Sequence, residues 1–94
     1  MDLLISGGQI VDGSGAPMRR AAGGIAEGRV AAVGELRQVQ AGVTIDAQDC
    51  IVCPGFVDMH SHADLALLTG RDMEGRLRQG ITTEVLGQDG LSYA

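Results

Sequence analysis

Ninety-four residues make about one small domain, and an apolar content of 45% with fifteen glycines and two prolines excludes both a disordered tail and a collagen-like repeat. Net charge is −5 and all seven cations are arginines, so no basic stripe exists to neutralise nucleic-acid phosphates or an anionic membrane surface. No apolar run nears the roughly 20 residues of a membrane span, and the acidic, Gly-broken start lacks the basic and apolar regions of a signal peptide, so a cytoplasmic protein is expected.

From residue 1 to 54 short β-type runs alternate with turn signals. Leu3-Leu4-Ile5 leads into Gly7-Gly8, and Gln9-Ile10-Val11 leads into Asp12-Gly13-Ser14-Gly15, residues that tolerate positive φ. Gly24-Ile25-Ala26 and Arg29 to Val33 flank Glu27-Gly28, a two-residue connection of the hairpin kind. Val43 to Asp46 and Cys50-Ile51-Val52 supply two further strands. Five or six such strands predict a small antiparallel sheet or sandwich that needs more strands to cover its second face and edges. With one Phe, one Tyr and no Trp, its core must be aliphatic, and the isolated chain is expected to have low stability.

After Pro54-Gly55 the pattern changes to strand, helix, strand. Phe56 to His60 is a buried-type strand, Met73 to Gln79 a short helix stopped by Gly80, and Ile81 to Leu86 a second β-branched run, together the signature of a βαβ unit with a parallel sheet. The ending Leu91-Ser92-Tyr93-Ala94 follows directly on a strand-like run and reads as an interrupted reading frame.

Both histidines fall in His60-Ser61-His62 at the end of the predicted strand. Alternation along a strand puts Asp58, His60 and His62 on one face, with the imidazoles close enough to converge on one metal ion. A strand buried in a parallel sheet is apolar on both faces, so a carboxylate and two imidazoles at its C-terminal end mark a site, because α/β proteins build their sites there. The bland alternative is a solvated loop with two incidental histidines. Cys50 and Cys53 have the C-x-x-C spacing, but positions three apart in a strand face opposite sides, so they read as two buried thiols. Gly13-Ser14-Gly15 reads as a turn and not a dinucleotide loop, since Met18 stands where a third Gly belongs. Glu84, mid-strand among apolar neighbours, reads as structural.

Pro54-Gly-Phe-Val-Asp-Met-His-Ser-His-Ala-Asp64, with Asp2-Leu-Leu-Ile-Ser-Gly-Gly8, Val11-Asp-Gly-Ser-Gly15, Gly28-Arg-Val-Ala-Ala-Val-Gly34 and Ile45-Asp-Ala47, resembles the opening of the amidohydrolase superfamily. Arg78-Gln-Gly-Ile-Thr-Thr-Glu-Val-Leu-Gly87, followed by a Gly-Leu-Ser turn, is similar to the N-acyl-D-amino-acid deacylases, or D-aminoacylases, within it. The resemblance implies an α/β protein in which residues 1–54 begin a composite β-sandwich and residues 55–94 begin a zinc-dependent (β/α)8 barrel, incomplete in a chain this short. It implies that His60 and His62 are metal ligands on the first barrel strand, that one or two Zn2+ ions are bound, and that the general base and remaining ligands lie downstream. The implied reaction is hydrolysis of the amide of a small N-acyl-D-amino acid, with a cyclic-amide hydrolase of the dihydroorotase or hydantoinase type as the alternative. The 94 residues alone are expected to be inactive.

In one place the chain departs from that pattern. Where those deacylases carry Asn-Cys-Gly, with Cys as a zinc ligand, this chain has Gln88-Asp89-Gly90, so Asp89 is the third candidate ligand, supplying an oxygen that suits Mn2+ or Co2+ as well as Zn2+, with a plain Asp-Gly turn as the structural alternative. Asp58 and Asp64 are candidates for supporting the ligands or touching substrate, with a buried network for Asp58 and a helix cap for Asp64 as the structural alternatives.

Overall fold

The computed structural model describes residues 1–69 and 73–91. Ser92, Tyr93 and Ala94, on which the Gly-Leu-Ser turn and the reading of an interrupted frame partly rest, lie outside them. The chain divides into two compact units, Met1–Pro54 and Gly55–Ala94.

The first unit holds β1 (Leu3–Ser6), β2 (Gln9–Ile10), β3 (Arg19–Arg20), β4 (Ala22–Ala26), β5 (Arg29–Gly34), β6 (Val43–Asp46) and β7 (Ile51–Val52). They form a four-stranded sheet in the order β5-β4-β1-β6 and a three-stranded sheet in the order β3-β2-β7. The antiparallel expectation is corrected in part: β1 pairs with β6 and β2 with β7 in parallel. The reason is that β1–β2 and β6–β7 are two bent ribbons running side by side. Hydrogen bonds from Ala47 N–H to the Ser6 carbonyl (2.7 Å) and from Gln9 N–H to the Cys50 carbonyl (3.0 Å) carry the ladder around the corner. The corner is at Gly7-Gly8. Gly7 has φ +83°, and a Cβ on Gly8 would come within 3.1 Å of the Ala47 side chain, so both sites want glycine.

Glu27 (φ 52°) and Gly28 (φ 71°) make a hairpin turn with both central residues left-handed, the form whose twist matches the strands it joins. Asp2 Oδ2 accepts the Glu27 N–H at 2.7 Å and fastens the turn to the chain start. In the Asp12 turn, Asp12 Oδ1 accepts the Ser14 N–H at 3.0 Å and the Ser14 hydroxyl, while Oδ2 pairs with Arg19 Nη1 at 3.0 Å. The Ser14 hydrogen bonds, and then Arg19, hold the Asp12 carboxyl down from 3.8 to about 2.

Leu4, Ile10 and Ala47 are buried in this unit, but Val30, Val43 and Ile51 are 69%, 59% and 62% exposed. An apolar cleft of about 470 Å³ opens between Ile5, Ile10, Val11, Val30, Val33 and Val52. Cys50 and Cys53 are exposed, which corrects the reading of two buried thiols; Cys50 precedes β7 and Cys53 follows it, in a ribbon with one face uncovered.

The second unit holds β8 (Phe56–Asp58), α1 (Asp64–Thr69), α2 (Met73–Leu77) and β9 (Ile81–Glu84). The two strands pair in parallel, Phe56 with Ile81 and Asp58 with Glu84, as a strand–helix–strand unit requires. The structure shortens both predicted strands. β8 stops at Asp58 because its Oδ1 turns back to accept the His60 N–H at 3.1 Å, an Asx turn that ends the ladder. α1 starts at Asp64, in line with the helix-cap alternative for that residue, since Asp64 ahead of a Leu- and Ala-rich run is a helix-start signal. Arg76 on α2 lies against Glu84, whose side chain is only 12% exposed, with the Arg76 Nε and the buried Glu84 Oε1 paired at 2.5 Å. This agrees with a structural role for Glu84. Among the described residues no helix is long and apolar enough to cross a membrane.

A Cβ added to Gly55 would fall 2.7 Å from the Thr82 Cβ and closer still to its branches, a clash that no rotamer of Thr82 relieves. Gly55→Ala is therefore expected to destabilise the protein by about 1–3 kcal/mol, read as a lowered midpoint in denaturant. For Asp12 the sign follows from a lowered carboxyl: its stabilising contribution is complete above about pH 4 and is lost as pH falls through about 2. A carboxyl titration by NMR should give a midpoint near 2 for Asp12, and Ser14→Ala should raise it toward 3.8.

Candidate metal centre

Parallel pairing places the loops that follow β8 and β9 at the same end of the ladder. Two backbone bonds extend the pairing past the strands: Val85 N–H donates to the Asp58 carbonyl at 2.8 Å and Ser61 N–H to the Val85 carbonyl at 3.1 Å. Ser61 and Ala63 are buried, and Ala63 N–H donates to Ser61 Oγ at 3.2 Å. With Ser61 and Ala63 turned inward, His60 and His62 share the exposed side. Their rings stand edge to face, 5.2 Å between centroids.

The second loop delivers the carboxylate. Gly87 (φ 76°), Asp89 (φ 56°) and Gly90 (φ 75°) are left-handed, and this tight turn aims Asp89 at the histidine pair. Gln88 helps to place it, since its Nε2 donates to the carbonyls of both Met59 and Val85 at 3.3 Å. Gln88 thus ties the residue before His60 to the residue before Asp89. Sequence reasoning missed this role; the available signal was an amide side chain beside a candidate ligand.

Asp89 Oδ2 lies 3.1 Å from His60 Nε2 and 3.2 Å from His62 Nε2. All three donor atoms fall within 4.8 Å of one another. Converging lone-pair atoms repel unless a proton or a cation sits among them. Ligands bound at about 2.0–2.2 Å around a tetrahedral ion stand about 3.4 Å apart, close to the two separations from Asp89 Oδ2 to the rings, so the donor set suits a divalent ion. The side chains of His60, His62 and Asp89 are 58%, 48% and 65% exposed.

Of the five candidate residues the structure brings together His60, His62 and Asp89. Asp58 is not in the cluster. It accepts the His60 backbone N–H and so orients the loop, not the imidazole ring. Asp64 is the first residue of α1, half-buried, where a carboxylate suits the positive end of a helix.

Residues 43–92 match the sequence profile of the Amidohydrolase family. The chain belongs to that family. It is 45% identical over 93 residues to a D-aminoacylase of Alcaligenes xylosoxydans xylosoxydans, covering 99% of this chain and 19% of the relative. It superposes with a TM-score of 0.93 and 48% identity on the N-acyl-D-glutamate deacylase of Bordetella bronchiseptica, solved with zinc and a phosphonate mimic of the tetrahedral intermediate, covering 100% of this chain and 20% of that one. A D-hydantoinase structure matches with a TM-score of 0.59 and 38% identity, over 67% of this chain and 13% of its own. The chain thus spans about a fifth of the length of the deacylases it matches. The mixed, mostly stranded fold is that of the start of these amidohydrolases.

Gln88→Ala should loosen the two loops and weaken metal affinity of the complete protein by about 10-fold, the low end for losing a group that orients ligands. A chelator-competition titration checks this, and an unchanged affinity would show that Gln88 does not position Asp89.

Proposed function

We propose that the complete protein carrying these residues is a metal-dependent amidohydrolase that deacylates N-acyl-D-amino acids. The observation that supports it most is the convergence of His60, His62 and Asp89 at the C-terminal end of a parallel strand pair, in a chain similar along its whole length to such deacylases. On this reading residues 55–94 open a (β/α)8 barrel, and residues 1–54 form part of a small β-sandwich whose apolar cleft further strands fill.

His60, His62 and Asp89 would hold zinc, the ion present in the Bordetella structure. Bound there, a divalent ion acidifies water and polarises an acyl carbonyl, the chemistry amide hydrolysis needs near neutral pH. The residues of this chain do the holding. Two imidazoles lend their lone pairs without adding charge, and one carboxylate offsets part of the ion's charge, so the centre keeps net positive charge to draw a carbonyl oxygen toward it. Asp58 and Gln88 keep the loops in register. The group that shuttles the proton is assigned to the rest of the protein.

The likeness to D-hydantoinase supports a second reading, a cyclic-amide hydrolase. Assays of the complete protein on N-acetyl-D-amino acids, their L-enantiomers, hydantoins and dihydropyrimidines separate the two. Turnover confined to the N-acyl-D-amino acids is expected, and turnover confined to the rings would replace the first reading with the second. His60→Ala and His62→Ala should each lower kcat/KM by at least about 100-fold together with metal content, since ligand loss removes the group that activates water. Full activity in either variant would remove that histidine from the centre.

A further inference from the structure

We draw no further inference here: the strongest candidate, the apolar cleft of about 470 Å³ that Ile5, Ile10, Val30, Val33, Val52 and Cys53 line in the Met1–Pro54 unit, is already assigned above to further strands of the complete protein, and nothing in the structure shows what else covers it.

Discussion

The hydrogen bonds from Val85 N–H to the Asp58 carbonyl and from Ser61 N–H to the Val85 carbonyl are the constraint on which the site depends. Each lies just past the paired strands, so they hold two loops, rather than two strands, in fixed register. Parallel pairing is what makes this useful, because it sends both chain segments out of the sheet at one end. His60 and His62 then leave on the first loop and Asp89 on the second, and donors 29 residues apart in sequence meet at 3.1 Å. The Asx turn of Asp58 and the forked contact of Gln88 stiffen the same junction from either side. Such support would matter to a metal centre here, because groups that orient ligands tune how tightly an ion is held.

The Met1–Pro54 unit shows the opposite economy. Its bent ribbons satisfy their backbone groups, yet much of its aliphatic surface faces outward, with Val30 69% and Ile51 62% exposed. At about 25 cal/mol per Å² of apolar area, covering such side chains is the main stabilising term available to a unit without large aromatic residues. A sheet with this much bare apolar face gains most from further strands, in keeping with a chain that spans about a fifth of its relatives.

Much of this was legible in the sequence. The change of pattern at Pro54-Gly55 coincides with the boundary between the compact units, and Gly7-Gly8 marked the corner and Glu27-Gly28 the hairpin because only a few residues adopt left-handed φ at low cost. His60 and His62 were legible as a pair because residues two apart share a side, although a bend and not a strand keeps them so. The parallel partners β1–β6 and β2–β7 were not, since pairing direction depends on how ribbons 40 residues apart lie beside each other, and no local pattern encodes that. Nor was the place of Asp58, whose side chain looked like part of the polar column but satisfies a backbone N–H one turn on. Asp89 was identified from the family resemblance, and geometry alone brings it to the histidines.

The most direct test of this account is anomalous diffraction at the zinc edge from crystals of the complete protein. The account predicts a peak about 2.0–2.2 Å from His60 Nε2, His62 Nε2 and Asp89 Oδ2 together. A zinc peak elsewhere, with Asp89 paired to the histidines by hydrogen bonds alone, would contradict it.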